Sequence, residues 1–272
     1  MRVKFLGTAA AEGWPGLFCQ CDACRKAREL GGKNIRTRSS CIIDDLYMID
    51  FSADTYYHVL RDHLDLSRVK HLFITHSHED HFYPQDLQMR KKPFAYFTSN
   101  DPLHVYGNDH VKERFDQAGG EEKSDGTLRF HKVNPFETFI AGDAEVTPLL
   151  ADHAPGEQCY IYAIKLNGKT LLYGHDTGYF PEQTWEYIKK YSFDGVILDC
   201  TSGPQESMRY HMGFPTVLKV KQRLLDEKIA RENTIFIVNH FSHNGGLMHD
   251  EMVEAFSPYG FVVTYDGMEI EI

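Results

Sequence analysis

The residues THSHEDH, positions 75–81, close the apolar run HLFI and set His76, His78, Asp80 and His81 within six positions of one another. Imidazole nitrogens and carboxylates are ligands that zinc, iron and manganese ions accept. Four of them this close converge only where the backbone turns sharply, so the chain is obliged to end a strand here, at a sheet edge, and fold back. Alternation along the strand aims His76 and His78 to one side, and the turn brings Asp80 and His81 round toward a second ion. The pattern HxHxDH is fuller than a helix-borne HExxH motif or an isolated HxH pair. It reads as half of a two-metal hydrolytic site.

The chain is long enough to scaffold such a site. With 272 residues, 42% of them hydrophobic and 13% aromatic, it can bury a full core, and a single domain over 1–272 is expected. A formal charge of −10 argues against a long nucleic acid as the main ligand, because phosphate contacts need a basic face. Arg25, Lys26, Arg28, Lys33, Arg36 and Arg38 do cluster, and a solvated helix face or loop accounts for them better than phosphate capture. No stretch approaches the roughly 20 apolar residues of a membrane span. The N-terminal MRVKFLGTAAAEGWPG also lacks the apolar run of a signal peptide, so a cytoplasmic protein without membrane contacts is expected.

Strand and helix signals alternate along the chain. RVKFLGT, SSCIIDDLYMIDF and KHLFITH read as strands, with a helix over 54–63 before the last of them. LHVYGN, LRFHKV, AEVTPLLADH, CYIYAIKLNG and KTLLYGHD follow as strands, several joined by Gly, Asn or Asp turns. PEQTWEYIKKY is helical, DGVILDCTS a strand, TVLKVKQRLLDEKIARE a long amphipathic helix and NTIFIVNH a strand. The region 84–134 is the least regular and reads as an elaboration over the site. His153, Asp176 and His240 each close or directly follow one of these apolar runs, so five His and two Asp are available for two ions.

With HxHxDH, then ADH, then YGHDTG, then NH at the end of a late strand, the sequence resembles the metallo-β-lactamase superfamily over most of its length. That resemblance implies an α/β fold, the αββα four-layer sandwich. It also implies two divalent ions of Zn, Mn or Fe, one held by His76, His78 and His153, the other by Asp80, His81 and His240, with Asp176 bridging both. His175 neighbours Asp176 but points the other way if the strand persists. His58, His63, His71, His104, His110, His131 and His249 are read as surface residues.

Cys19, Cys21 and Cys24, in CQCDAC, form a second constellation. Cysteines this close bridge poorly, so metal binding in a reducing compartment is expected in place of disulfides. Three thiols cannot saturate a tetrahedral zinc, and His243, three residues beyond His240, is the natural fourth ligand of one structural zinc. Cys41, Cys159 and Cys200 stand alone in apolar runs and are read as core packing.

The order GTAAAEGWP, CxCxxC, HxHxDH is similar to one branch of the superfamily, the PhnP-like phosphoribosyl cyclic phosphodiesterases; the PqqB accessory proteins share a comparable cysteine loop. Within that branch the resemblance extends to His211, in RYHMGFPT, where the family has a catalytic histidine. The implied activity is hydrolysis of a small cyclic or nucleotide-like phosphodiester by a hydroxide bridging two metals, with Asp80 and Asp176 at the metals and His211 protonating the leaving oxygen. The alternatives are hydrolysis of a lactone or other carbonyl substrate, and a PqqB-like accessory role. The expected partner is the small-molecule phosphodiester, and self-association as a homodimer is left open.

Overall fold

The computed structural model describes residues 1–99 and 101–272. Two seven-stranded sheets stack face to face with helices on both outer faces. The first sheet contains β1 (Arg2–Gly7), β2 (Ser40–Ile43), β3 (Tyr47–Ile49), β4 (His71–Phe73), β5 (Leu103–Gly107) and β6 (Leu128–Lys132), in that order, with β14 (Glu269–Glu271) outside β1. The second runs β7 (Phe139–Ala141), β8 (Ala144–Leu150), β9 (Tyr160–Leu166), β10 (Lys169–Gly174), β11 (Phe193–Asp199), β12 (Ala230–Asn239) and β13 (Phe261–Val263). This is the four-layer αββα sandwich expected of the sequence.

Alternation along the strands builds the layers. On the first sheet Phe5, Cys41, Ile43, Ile49 and Phe73 face Val146, Tyr162, Leu171, Tyr173 and Ile197 of the second. The alternate residues Leu6, Ile42, Met48 and Leu72 face outward, into a cluster that Val111 and Phe115 of α3 (Asp109–Gln117) join at the β5–β6 end. The outer face of the second sheet, Leu172, Val196, Leu198, Phe236 and Val238, is covered by α4 (Glu182–Ile188), α5 (Phe214–Asp226) and α6 (His249–Phe256). Strands covered on both sides read as near-continuous apolar runs, as VILD and TIFIVN do. Fully burying one such aliphatic side chain contributes about 1.5–3 kcal/mol before ordering costs. The remaining helices are α1 (Asp22–Leu30) and α2 (Thr55–Asp62). Cys41, Cys159 and Cys200 are buried, and all six cysteines are free thiols.

Several expectations differ from the structure. The helix expected over 216–232 ends at Asp226, because Lys228 takes a left-handed turn (φ 60°) and Ala230 pairs with Phe193 as β12 begins. Residues 84–134 hold β5, α3 and β6, which extend the first sheet at its edge; no described residue of this segment lines the cleft of the functional site. α3 was missed because its sequence, DHVKERFDQ, buries only Val111 and Phe115. Arg36 is not on a solvated face: its Nη1 donates to Thr8 Oγ1 (2.8 Å) and the Thr264 carbonyl (2.7 Å), and its guanidinium lies over the Phe241 ring. His58 and His249 are buried as well, His58 Nε2 lying 2.7 Å from Thr37 Oγ1 and His249 Nδ1 3.2 Å from Arg36 Nη2. In each case the partner is distant in sequence, so local composition holds no trace of it. Among the described residues no helix is long and apolar enough to cross a membrane.

Candidate metal centre

β4 ends at Phe73, so His76 and His78 are not aimed by strand alternation. They meet because the backbone after Ile74 turns back on itself: the N–H groups of His81 and Phe82 both donate to the His78 carbonyl, at 3.0 and 2.8 Å. His76 Nε2 then lies 2.9 Å from His78 Nδ1, and His153, from the loop after β8, brings Nε2 to 3.3 Å from that same atom. Asp176, just past β10, and His240, just past β12, arrive from the second sheet.

Two donor sets result, each with ligand atoms within 4.8 Å of one another: His76, His78 and His153, and Asp80, His81, Asp176 and His240. Asp176 touches both. Its Oδ2 lies 3.3 Å from His76 Nε2, 2.9 Å from His81 Nε2 and 3.8 Å from His240 Nε2, and its Oδ1 lies 3.3 Å from His153 Nδ1. His211 Nδ1 stands 3.1 Å from the same Oδ1. All these residues except His76 and His81 line an open cleft of about 480 Å³ between the two sheets.

The donors fit metal ions on their unmet bonding. His81 Nε2, His240 Nε2 and Asp176 Oδ1 are buried with no hydrogen-bond partner among the described residues. Leaving a buried polar atom unpaired costs about 1–3 kcal/mol, and cations held among these donors would satisfy all three. Charge tells the same story. Burial opposes ionisation of Asp80 and Asp176, yet the neighbouring imidazoles, His81 at Asp80 and His240, His211 and His81 at Asp176, hold both carboxyls well below the usual carboxylate range. Burial above all keeps His76 neutral, the form that can bind a metal ion.

Two buried carboxylates that sequence reasoning missed orient these rings. Asp50 Oδ2 accepts from His81 Nδ1 (2.7 Å) and from His175 Nε2 (3.1 Å), and the Thr75 hydroxyl, 3.0 Å from His76 Nδ1, donates to Asp50 at 2.9 Å. Asp199 Oδ2 lies 3.4 Å from His211 Nδ1 and accepts from Thr201 Oγ1 (2.8 Å), which itself lies 2.7 Å from His240 Nδ1. A carboxylate on one ring nitrogen fixes the tautomer and leaves the other nitrogen free for a metal or a substrate. The signal was present, since both aspartates follow apolar runs, YMI before Asp50 and VIL before Asp199, as His240 follows TIFIVN. His175 stays behind His81, turned toward Asp50 and away from the cleft.

Cys19, Cys21, Cys24 and His243 form a third donor set on the protein's rim. His243 Nδ1 lies 3.5 Å from Cys21 Sγ and 3.9 Å from Cys19 Sγ, while the Gly16 N–H donates to Cys24 Sγ (3.3 Å). The Cys24 N–H, donating to Cys21 Sγ, is the main reason the Cys21 thiol is drawn down to about 6, whereas burial pushes Cys24 up to about 12.

A four-layer sandwich with two histidine-aspartate donor sets sharing one carboxylate at the strand ends defines a class of metal-dependent hydrolases. The family model for the beta-lactamase superfamily domain matches residues 48–230, and the chain belongs to that family. Ribonuclease Z of Lactiplantibacillus plantarum is 26% identical over 148 residues, 52% of this chain and 41% of that protein, so the chain matches less than half the length of this relative. Among solved structures, a diphosphatase from the PhnP family superposes with a TM-score of 0.78 at 20% identity, over all of this chain and 97% of the other. The zinc-bound PqqB of Methylobacterium extorquens gives 0.75 at 16% identity over the full length of both. At these identities the structural likeness speaks for the fold.

Proposed function

We propose that the protein hydrolyses a small cyclic or nucleotide-like phosphodiester at a binuclear metal centre. The observation that carries this reading is Asp176, one carboxylate facing both donor sets with His211 beside it. His76, His78 and His153 would hold one divalent ion, Asp80, His81 and His240 the other, and Asp176 would serve both. When bound, such a pair supplies a water acidic enough to attack at neutral pH and charge to offset that of the phosphate. The chain's own residues do the rest. The rings and carboxylates fix the positions of attack, and the cleft orients the ester in line. His211, held at Nδ1 by Asp199, keeps Nε2–H for the departing oxygen. The names of the relatives, a ribonuclease and a diphosphatase, support phosphate ester chemistry. A long RNA is disfavoured by the net charge of −10 and by a cleft with no lysine or arginine in its described lining. Cys19, Cys21, Cys24 and His243 would bind one structural zinc.

Phosphorus NMR of the metal-loaded protein with a ribosyl 1,2-cyclic phosphate tests the reading. Ring opening to a single monoester is expected for the parent and not for Asp80→Ala. No turnover with both ions bound would overturn it in favour of a carbonyl substrate.

A further inference from the structure

The cleft has a floor and a wall of different chemistry. Histidines and aspartates make the floor, whereas Ala10, Ala11 and Glu12 from the loop after β1 join Ser202, Gln205 and Asn244 from the loops after β11 and β12 in the wall. No cation belongs to this wall among the described residues. Arg38, which donates to the Ala11 carbonyl, is held 3.0 Å from Asp54, and Arg209, two residues from His211, is held 2.7 Å from Asp152. Glu12 is fixed in place: the Ser242 hydroxyl donates to its Oε1, and His243 Nε2 lies 3.7 Å from the same oxygen. His243 turns its other nitrogen to Cys19 and Cys21, so the cysteine cluster braces the wall from behind.

We infer, resting on the phosphodiesterase reading, that this wall selects diesters whose ester group is uncharged and rich in hydroxyls, with Glu12 as the discriminating residue. An ionised carboxylate only accepts hydrogen bonds, and a hydroxyl donating to it makes one of the stronger bonds available to a sugar. The same carboxylate repels a second phosphate, which finds no lysine or free arginine to offset it. The serine and amide groups of the same wall supply both donors and acceptors for the remaining hydroxyls. The substrate class is therefore an unphosphorylated ribosyl or nucleoside-like unit, and the reaction that supplies it must leave a phosphodiester on an otherwise uncharged sugar.

The test compares ribose 1,2-cyclic phosphate with its 5-phosphorylated counterpart on the metal-loaded parent and on Glu12→Gln. The parent should favour the unphosphorylated ester in kcat/KM by roughly tenfold or more, and Glu12→Gln, which keeps the shape and an acceptor oxygen, should shrink that ratio mainly by improving the phosphorylated ester. Calorimetric binding of ribose 1-phosphate against ribose 1,5-bisphosphate should follow the same order. A preference for the phosphorylated ester, or a ratio unchanged by Glu12→Gln in both measurements, overturns the inference while leaving the activity standing. Failure to open either ester removes the phosphodiesterase reading, and this inference with it.

Discussion

On the first sheet Asp50 stands behind His81 directly and behind His76 through Thr75; on the second, Asp199 stands behind His211 directly and behind His240 through Thr201. The two arrangements are alike in plan, although Asp50 also holds His175 and Asp199 Oδ2 also lies 3.3 Å from His240 Nδ1, and they differ in where the supported rings end up. His76 and His81 are both buried beside Asp176, whereas His211 keeps a third of its side chain exposed on the cleft while His240 is buried. A carboxylate and a threonine thus fix ring orientation in either case, and of these four rings His211 is the one exposed enough to meet a substrate. Burial opposes a positive charge on His211, but the carboxylates of Asp176 and Asp199 outweigh it and push its pKa up.

Removing the support on the first sheet should have the largest effect. Asp50→Ala strands His81, His175 and Thr75 in the core, and a loss of about 3–5 kcal/mol is expected from denaturant unfolding, with metal affinity falling about 10–100-fold. A variant as stable as the parent would show that the two carboxylates are not equivalent devices.

On the second sheet the expected damage is to chemistry. Asp199→Asn and His211→Ala should each lower turnover of a diester with a poor leaving group by about 100-fold or more, and far less for nitrophenolate, which departs unaided. The double variant should add little, since both act on one proton. Equal losses on both leaving groups would return His211 to a structural role.

The rim cluster is the contrasting case, braced by a loop and with an exposed Cys21 in place of a buried carboxylate. Cys21→Ser should lose about one zinc per chain and lower the melting temperature, with the cleft metals retained; unchanged zinc content would remove the structural site.

The smallest effect concerns His58, far from either cluster in function. Burial first, and then Arg61, depress its pKa from 6.5 to about 4. The unfolded chain therefore binds the extra proton, and stability falls as the pH drops from about 6.5 toward 4, by up to about 3 kcal/mol. His58→Gln should flatten that part of the pH–stability curve; an unaltered slope would mean the ring titrates normally.

The residues of the two donor sets were legible because an apolar run ending in His or Asp states both a strand and its terminus, as at His240 and Asp176. Asp50 and Asp199 carried that same mark and went unread, since a lone aspartate after a strand is also an ordinary turn residue. Most strands were legible for the same reason that helices α1 and α3 were not: an inner strand is apolar throughout, while DACRKAREL and DHVKERFDQ each bury only two side chains. Arg36 and His58 lay beyond reach, because what buries them is contributed by other parts of the fold.

Asp50, Asp176 and His240 share a property apart from their chemistry: each sits in the left-handed region, at φ 61°, 52° and 62°. Aspartate, asparagine and histidine are among the few side chains that tolerate this conformation, and β-branched residues are not. The backbone therefore narrows the alphabet at these positions before any ion or substrate does. Drift away from the present residues would pass most easily through asparagine or glycine, so a descendant that lost its metals should still betray its ancestry by what it keeps at the three corners.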